Sequence, residues 1–417
     1  MRGFDAGACR AQFPGLARHV AGRPAAFFDG PGGSQVPARV IDATSRYLAH
    51  ENANSGGPFA TSEATDALLD GAHRALADFV GTPDPGCIAF GANMTTLTLA
   101  LGRALARTWR AGDEVVVTQL DHDANVTPWV LAARDAGAEV REARIQPGDG
   151  TLDLGHLGAL LSRRTRLVAV TCASNAIGTM TDARRIAELA HAYGALVFLD
   201  AVHYAPHALI DVAAWDCDFL CCSAYKFFGP HVGVMYGKRE QLERLPAYKV
   251  RPAGEDLPHR WETGTLNHEG IAGAAEAVEY LADIGRRHVP GVVERRAALR
   301  AAFEAIREYE GGLTRHLLER LTPIPGVRLH GIRDPHRWAE RTPTVSFTHE
   351  RLGPREVATR LGREGIFVWH GNFYALRLTE VLGLEPDGVV RVGLLHYNTR
   401  DEIDRLAAAL NDGDARP

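Results

Sequence analysis

Short apolar runs alternate with helix-like stretches between about residues 60 and 240, and this alternation constrains the fold more than any other feature. The runs are rich in Val, Leu, Phe, Ala and Cys, as buried strands are. They are CIAF (87–90), EVVVTQL (114–120), AEVREARI (138–145), RLVAVTCAS (166–174), ALVFLDA (195–201), DFLCCSA (218–224) and VGVMYG (232–237). Strands in series with helices predict an α/β fold with a mainly parallel, seven-stranded sheet.

The pattern of apolar and charged residues changes after about residue 290. A long helical stretch with charged faces leads into short apolar runs and a closing helix, which predicts a smaller α+β unit. The chain length is sufficient for two domains. We therefore expect a large domain over residues 26–289 and a small domain formed by residues 1–25 and 290–417.

Composition and charge argue against several classes of function. The net charge of -5 gives no basic footprint for nucleic acid. No run of about 18 apolar residues predicts a membrane span, and the start lacks the apolar core of a signal peptide. The six cysteines include no paired CxxC arrangement, so we expect free thiols in a cytoplasmic protein.

The residues just after the apolar runs carry the chemistry, because ligands of open α/β sheets bind beyond the carboxyl ends of the strands. GANMTT (91–96) opens a helix, whose exposed N–H groups favour a phosphate, although an ordinary helix cap is the commoner meaning of such a stretch. Asp200 ends an apolar strand and needs a cationic or hydrogen-bonding partner. The ring of His122 could lie flat against a bound aromatic ring or simply face solvent.

Lys226 stands between an apolar run and a glycine turn, where a strand should end. Its amine could reach water by snorkelling, or it could be partly desolvated and act as nucleophile and base. His203 and His207 are spaced as metal ligands could be, but no third ligand is evident. We therefore expect no metal site.

One ligand accounts for these separate features, because it has a phosphate, a flat ring with a basic nitrogen, and an aldehyde. That ligand is pyridoxal 5'-phosphate (PLP). In PLP sites an aspartate pairs with the pyridinium nitrogen and a lysine forms a Schiff base with the aldehyde. Lys226 follows Asp200 one strand later, which suits this arrangement. The combination predicts PLP as the cofactor.

On these residues the chain resembles fold-type I PLP-dependent enzymes of the class V aminotransferase and cysteine desulfurase-like family. The similar stretches span nearly the whole chain: DGPGGSQVP (29–37), NANSGG (52–57), GANMTT (91–96), DHDANVTPW (121–129), SNAIGT (174–179), DAVHYAPH (200–207), SAYK (223–226), WETGTLN (261–267) and VRVGLLHYNT (390–399). The resemblance implies a homodimer whose small-molecule substrate is an amino acid.

The resemblance also implies a role for each matching residue. Lys226, Asp200 and His122 would be catalytic: the lysine holds the cofactor and moves protons, the aspartate pairs with the ring nitrogen, and the histidine stacks on the ring. Asn175 and His203 would sit near the ring O3', where desulfurases have Gln in place of His203. The remaining expected cofactor-binding residues are Ala92, Asn93, Met94, Thr95, Ser223, Tyr225 and Thr265, the last contributed by a neighbouring subunit.

Two departures from the family pattern matter. Tyr225 replaces the histidine that usually precedes the lysine, and its phenol can still donate a hydrogen bond. Desulfurases also carry a catalytic cysteine on a loop that here reads WHGNFYAL (369–376), with Tyr374 nearest the cysteine position and no cysteine after Cys222. A persulfide-forming desulfurase needs that nucleophile, so we expect no such activity.

The same loop suggests the substrate and the reaction. Arg391 would hold the substrate carboxylate, and the expected side-chain pocket residues are Phe59, Trp369, His370, Asn372, Phe373 and Tyr374, although the aromatic ones could equally be core packing. The loop is similar to that of lincosamide-pathway enzymes acting on cysteine S-conjugates. We rank C–S β-elimination first, decarboxylation-coupled oxidative deamination second, and an aminotransferase or epimerase third. A non-catalytic PLP-fold scaffold is the alternative from another class.

Overall fold

The seven predicted runs form one seven-stranded sheet in the computed structural model, which describes residues 4–412. In chain order the strands are β1 (Ile88–Gly91), β2 (Glu114–Thr118), β3 (Glu139–Ala143), β4 (Thr165–Thr171), β5 (Leu196–Asp200), β6 (Phe219–Ser223) and β7 (Gly233–Gly237). Their spatial order is β1-β7-β6-β5-β4-β2-β3. All pairs are parallel except the two made by β7. The predicted α/β fold with a mainly parallel sheet is therefore confirmed.

The antiparallel orientation of β7 follows from the length of its connection. Only residues 224–232 join β6 to β7, whereas a parallel pair needs a crossover of roughly a dozen residues or more. The chain therefore turns back directly after β6. Lys226 lies in this tight connection, at the carboxyl end of the sheet.

Helices cover both faces of the large sheet. Val197 and Leu199 of β5 belong to one core cluster, whereas Phe198 between them belongs to another. This alternation shows that both faces are buried, as a parallel sheet requires. The helices of the chain are α1 (Ala6–Arg10), α2 (Ala38–Arg46), α3 (Ala60–Val80), α4 (Met94–Ala106), α5 (Thr127–Ala136), α6 (Leu154–Leu160), α7 (Ala183–His191), α8 (Val212–Trp215), α9 (Arg239–Arg244), α10 (His268–His288), α11 (Arg295–Leu321), α12 (Pro354–Arg363), α13 (Leu376–Val381) and α14 (Arg400–Asp412).

A second, antiparallel sheet follows α11. Its strands are β8 (Val327–His330), β9 (Thr344–His349), β10 (Trp369–Gly371) and β11 (Val389–Gly393), in the spatial order β8-β9-β11-β10. It shares a core with α12, α14 and the second half of α11. No helix within residues 4–412 is long and apolar enough to span a membrane.

The first thirty residues contact both parts of the chain. Phe13 packs edge-on against Phe228 and Tyr280 of the large part. Ala26–Phe27 instead pairs with Ile366–Phe367, beside the second sheet. Because the segment joins both cores, the boundaries at residues 26 and 290 stay a prediction.

The contact between α10 and α11 allows a direct test of the packing. A Cβ added at Gly285 would lie 1.8 Å from the carbonyl oxygen of Ala298, so Gly285→Ala should force the two helices apart. We expect the free energy of unfolding to fall by about 2 kcal/mol. Gly71→Ala, in α3 with nothing within 4 Å of the new Cβ, should instead stabilise by about 0.5 kcal/mol. Urea unfolding compares the two variants, and equal midpoints would contradict the packing described here.

Candidate active site

A cavity of about 920 Å³ opens at the carboxyl ends of the central strands of the large sheet. Thr171, Asp200 and Ser223, the last residues of β4, β5 and β6, all line it. Arg391 of β11 lines it from the second sheet. The cavity therefore lies where the two parts of the chain meet, and at the edge that strand direction predicts.

Most of the residues that the sequence predicts for the site line this one cavity. They are Asn93, Met94, Thr95, His122, Asn175, Asp200, His203, Ser223, Tyr225, Lys226, Trp369, His370, Asn372, Phe373, Tyr374 and Arg391. Three predicted residues lie elsewhere in this chain: Ala92 is exposed ahead of α4, Phe59 is 54% exposed just before α3, and Thr265 is exposed in the loop before α10. These three do not line the cavity of their own chain.

One end of the cavity is built by the start of α4. Asn93 caps this helix, since its side-chain oxygen accepts a hydrogen bond of 3.0 Å from Thr96 N. Met94 N donates to Ser223 Oγ over 3.0 Å, which joins the helix start to the end of β6. A Cβ on Gly233 would lie 2.5 Å from the Asn93 backbone, so glycine is needed for this approach. First-turn N–H groups lack intrahelical partners and favour an anion, which fits the phosphate of PLP.

Asp200 faces the cavity from the end of β5 and is 4% exposed. Burial raises the pKa of this carboxyl to about 6, against the hydrogen bond from Val202 N and the charge of Lys226. At neutral pH the carboxylate is therefore mostly ionised, but few protein groups offset its negative charge. A cationic ring nitrogen beside it would supply the missing partner.

The Lys226 amine is turned into the cavity rather than out to water. Its Nζ donates a hydrogen bond to the carbonyl of Pro31 and lies 4.9 Å from the centroid of the Tyr225 ring. Burial lowers the pKa of this amine to about 7, helped by the charge of Arg391 and opposed by Asp200. The contacts therefore favour a reactive amine over a snorkelling one.

Competitive acylation of the protein without cofactor tests whether Lys226 loses its proton at a lower pH than another lysine does. The chain has three lysines, and at Lys238 hydrogen bonds and charges from Asp216 and Asp218 outweigh burial and raise the pKa. Because only the neutral amine reacts, Lys226 should acquire its label with a midpoint near pH 7. Lys238 should react only at much higher pH. Peptide mass spectrometry across pH 5 to 11 measures both, and identical pH profiles would contradict the assignment.

His122 presents a neutral ring at the cavity wall. Its Nδ1 accepts a hydrogen bond of 3.0 Å from Ala124 N. Burial lowers the pKa of the imidazole to about 4, and the charge of Lys226 adds to this. Its ring stacks on Tyr374, with centroids 5.4 Å apart and planes inclined by 24°. The ring therefore has the fixed orientation and neutral charge that stacking against a cofactor requires.

Arg391 is 3% exposed and is held in place on two sides. Its Nη1 donates to the carbonyl of Asn175 over 2.9 Å, and its guanidinium lies 3.8 Å from the centroid of the Phe373 ring. Burial lowers its pKa to about 9, opposed by the charge of Asp29, so the group remains a cation at neutral pH. Its buried Nε has no hydrogen-bond partner within residues 4–412. A carboxylate on the Nε edge would satisfy it.

His203 and His207 do not converge on a metal site. His203 Nε2 lies 3.1 Å from the hydroxyls of Thr342 and Thr344, and burial holds the pKa of this ring well below its usual value. His207 Nδ1 lies 2.9 Å from Glu310 in α11. Within the described part of the chain, no group of three His, Cys, Asp or Glu side chains could hold a metal ion.

The sequence reading missed some residues of the cavity. Pro31, Gly32 and His231 also line the cavity. The glycines of the DGPGG stretch could have indicated that Pro31 and Gly32 line the cavity, because glycine lets the backbone approach a ligand closely. Nothing in the sequence marks His231.

All six cysteines are buried, and none of them lines the cavity. Cys221 and Cys222 lie in β6 and Cys172 directly follows β4, where burial raises the pKa of each thiol. Reactive thiolates need a lowered pKa and access to the substrate. The structure therefore offers no thiol nucleophile to a molecule in this cavity.

Comparison with known proteins gives consistent results. The family model for class-V aminotransferases matches residues 26–406. A cysteine desulfurase of Pectobacterium atrosepticum is 33% identical, with 96% of each chain covered. One of Synechococcus elongatus is 35% identical over 98% of this chain, which spans only 63% of that relative's length. The crystal structure of the Escherichia coli cysteine desulfurase CsdA superposes with a TM-score of 0.84 at 25% identity, with 99% of both chains covered.

Proposed function

The chain belongs to the class-V aminotransferase family of PLP-dependent enzymes and is closely related to cysteine desulfurases, and on that basis we propose that it cleaves the Cβ–S bond of an S-substituted cysteine by β-elimination without a protein thiol. The observation that carries the proposal is a cavity with the amine, carboxylate and guanidinium of the family but no cysteine.

The residues of the cavity fit PLP, the cofactor of this family. The start of α4 with Thr95 and Ser223 would take the phosphate, Asp200 the ring nitrogen, and Lys226 the aldehyde. His122 would cover the ring, and Asn175 with His203 would lie at the edge that carries O3'. When bound, PLP supplies an electron-withdrawing ring that stabilises negative charge on the α-carbon of an amino acid.

The chain's own residues would perform the remaining tasks. Arg391 binds the α-carboxylate of the substrate through its Nε edge and so fixes the amino acid's orientation. Lys226, half neutral near pH 7, removes the proton from Cα. Asp200 stays ionised above its pKa of about 6 and so balances the positive ring nitrogen. Phe373 and Tyr374 line the cavity from the segment that follows β10.

The atoms balance without an oxidant. The Cα–H and Cβ–S bonds break, the electron pair of the C–S bond leaves with sulfur, and the sulfur takes up a proton. One water is consumed as the amino group is released. The products are a thiol, pyruvate and ammonia. A bulky S-conjugate already carries its leaving group, so the missing cysteine is no obstacle.

Product analysis with S-benzyl-L-cysteine tests the proposal and separates the alternatives. The PLP-loaded enzyme should release phenylmethanethiol, pyruvate and ammonia in equal amounts, at the same rate with and without oxygen. An aldehyde with carbon dioxide and oxygen uptake would mean oxidative deamination. A 2-oxo acid that retains sulfur would mean transamination. Substrate recovered intact but racemised at Cα would mean an epimerase. A protein that binds PLP but changes no amino acid would support the scaffold alternative.

A homodimer is part of the proposal, because Thr265 is exposed and does not line the cavity of its own chain. We propose that Thr265 of the partner subunit donates a hydrogen bond to the cofactor phosphate. Thr265→Ala should then raise the Kd for PLP about tenfold, the cost of one hydrogen bond to a charged group. Thr263→Ala, an exposed neighbour, is the control and should leave the Kd unchanged. Equilibrium dialysis measures both, and equal Kd values would remove Thr265 from the site.

A further inference from the structure

Gly32 of the DGPGG stretch makes room for the side chain of Trp369 at the cavity, and Gly33 beside it is in ordinary contact with Tyr225. A Cβ on Gly32 would lie 2.6 Å from Nε1 of Trp369, so the indole rests directly on this glycine. A Cβ on Gly33 would lie 3.4 Å from the Tyr225 ring. The Tyr225 ring in turn stacks on His231, with centroids 5.0 Å apart and planes inclined by 15°. We call Gly32, Trp369, Tyr225 and His231 the aromatic slot.

The aromatic slot adjoins the groups that would hold an amino acid. Trp369 is the direct cross-strand partner of Arg391, so the two side chains emerge on the same face of the small sheet. The amine of Lys226 donates to Pro31, the residue before Gly32. A substrate with its carboxylate on Arg391 and its α-carbon near Lys226 thus has the slot within reach of its side chain.

The walls of the aromatic slot are flat aromatic rings. Trp369 is 52% exposed although it lines the cavity, which leaves an indole face free to be covered. The slot contains no Lys, Arg, Asp or Glu to receive a charged group. Aromatic faces bind flat rings by offset stacking.

We propose that the aromatic slot binds the sulfur substituent of the substrate and selects a flat, uncharged aromatic or heteroaromatic group. Gly32 and Trp369 are then specificity-determining residues, the first because any side chain there would displace the second. The proposal rests on the proposed function for the identity of the substrate as an S-substituted cysteine. It goes beyond that function by stating which substituent the enzyme prefers.

Binding of unreactive probes tests the slot without any turnover. We would titrate PLP-loaded enzyme calorimetrically with 3-(benzylsulfanyl)propanoate, 3-(cyclohexylmethylsulfanyl)propanoate and 3-(methylsulfanyl)propanoate, which keep the carboxylate but lack the amino group. The benzyl probe should bind about tenfold more tightly than the methyl probe, and more tightly than the cyclohexyl probe. Trp369→Ala and Gly32→Ala should each reduce the benzyl preference to about twofold or less. Gly148→Ala, with nothing within 4 Å of the new Cβ, should keep it.

Equal binding of the benzyl and methyl probes by the unmodified enzyme would show that the aromatic slot does not bind the sulfur substituent. A benzyl preference that survives in Trp369→Ala would show the same. Equal binding of the benzyl and cyclohexyl probes would overturn the selection for flat groups. A benzyl preference in an enzyme that releases no thiol from S-benzyl-L-cysteine would support the aromatic slot and contradict the proposed reaction. The two proposals can therefore fail separately.

Discussion

Lys226→Ala is expected to lower the rate of thiol release from S-benzyl-L-cysteine by about 10³-fold or more, because it removes both the cofactor's covalent attachment and the base that takes the Cα proton. Lys226 is the only one of the three lysines that lines the cavity. Release of thiol, followed with a thiol reagent under saturating substrate and PLP, measures the effect.

Two controls make this result interpretable. Lys249→Ala removes a lysine whose amine bonds the carbonyl of Ala253 and the carboxylate of Glu255 and does not line the cavity, and it should keep full activity. Circular dichroism of Lys226→Ala should match the unmodified protein, since the hydrogen bond that the amine makes within residues 4–412 goes to a single backbone carbonyl, that of Pro31. A Lys226→Ala enzyme with more than a tenth of the original rate would show that another group moves the proton.

Arg391→Lys is expected to lower kcat/KM for S-benzyl-L-cysteine by about 10²-fold, mainly through KM, although the positive charge is kept. The guanidinium uses Nη1 on Asn175 and lies against Phe373, which leaves the Nε edge for a carboxylate. A lysine amine cannot make the two parallel hydrogen bonds of that edge, and the loss of one hydrogen bond to a charged group costs roughly 1.5–3 kcal/mol.

The methyl ester of S-benzyl-L-cysteine is the matched substrate for this test. The unmodified enzyme should use the ester much more slowly than the free acid, whereas Arg391→Lys should use the two at similar rates. Urea midpoints of both proteins check that the buried substitution has not simply unfolded the small sheet. A variant that still discriminates strongly between acid and ester would place the carboxylate at another residue.

The strands and the strand-end residues were predictable from the sequence for a simple physical reason. A sheet buried on both faces leaves continuous apolar runs such as VVVT and LVFLD, and the first polar residue after each run must lie at the sheet edge. For this reason the sequence predicts that Asp200, Ser223 and Lys226 lie close together, whatever the loops do. The helix start at Met94 was likewise readable from GANMTT, because capping is a local property of the chain.

The contacts between residues far apart in the chain could not be predicted in this way. Gly32 touches Trp369, and His207 pairs with Glu310, across separations that no local periodicity encodes. Phe373 lies over Arg391 in the loop after β10, where Phe373 and Tyr374 take positive φ values. Such left-handed residues are favoured only when the surrounding contacts fix them, so their position depends on the complete fold.

Intact-protein mass spectrometry after turnover of L-cysteine shows whether C–S cleavage proceeds without a protein thiol. If C–S cleavage needs no protein thiol, the enzyme will release sulfide and pyruvate while its six cysteines stay unmodified, more slowly than it cleaves S-benzyl-L-cysteine because L-cysteine has no sulfur substituent for the aromatic slot. A persulfide on any of those cysteines, formed together with alanine, would contradict the claim and assign the chain the activity for which its relatives are named.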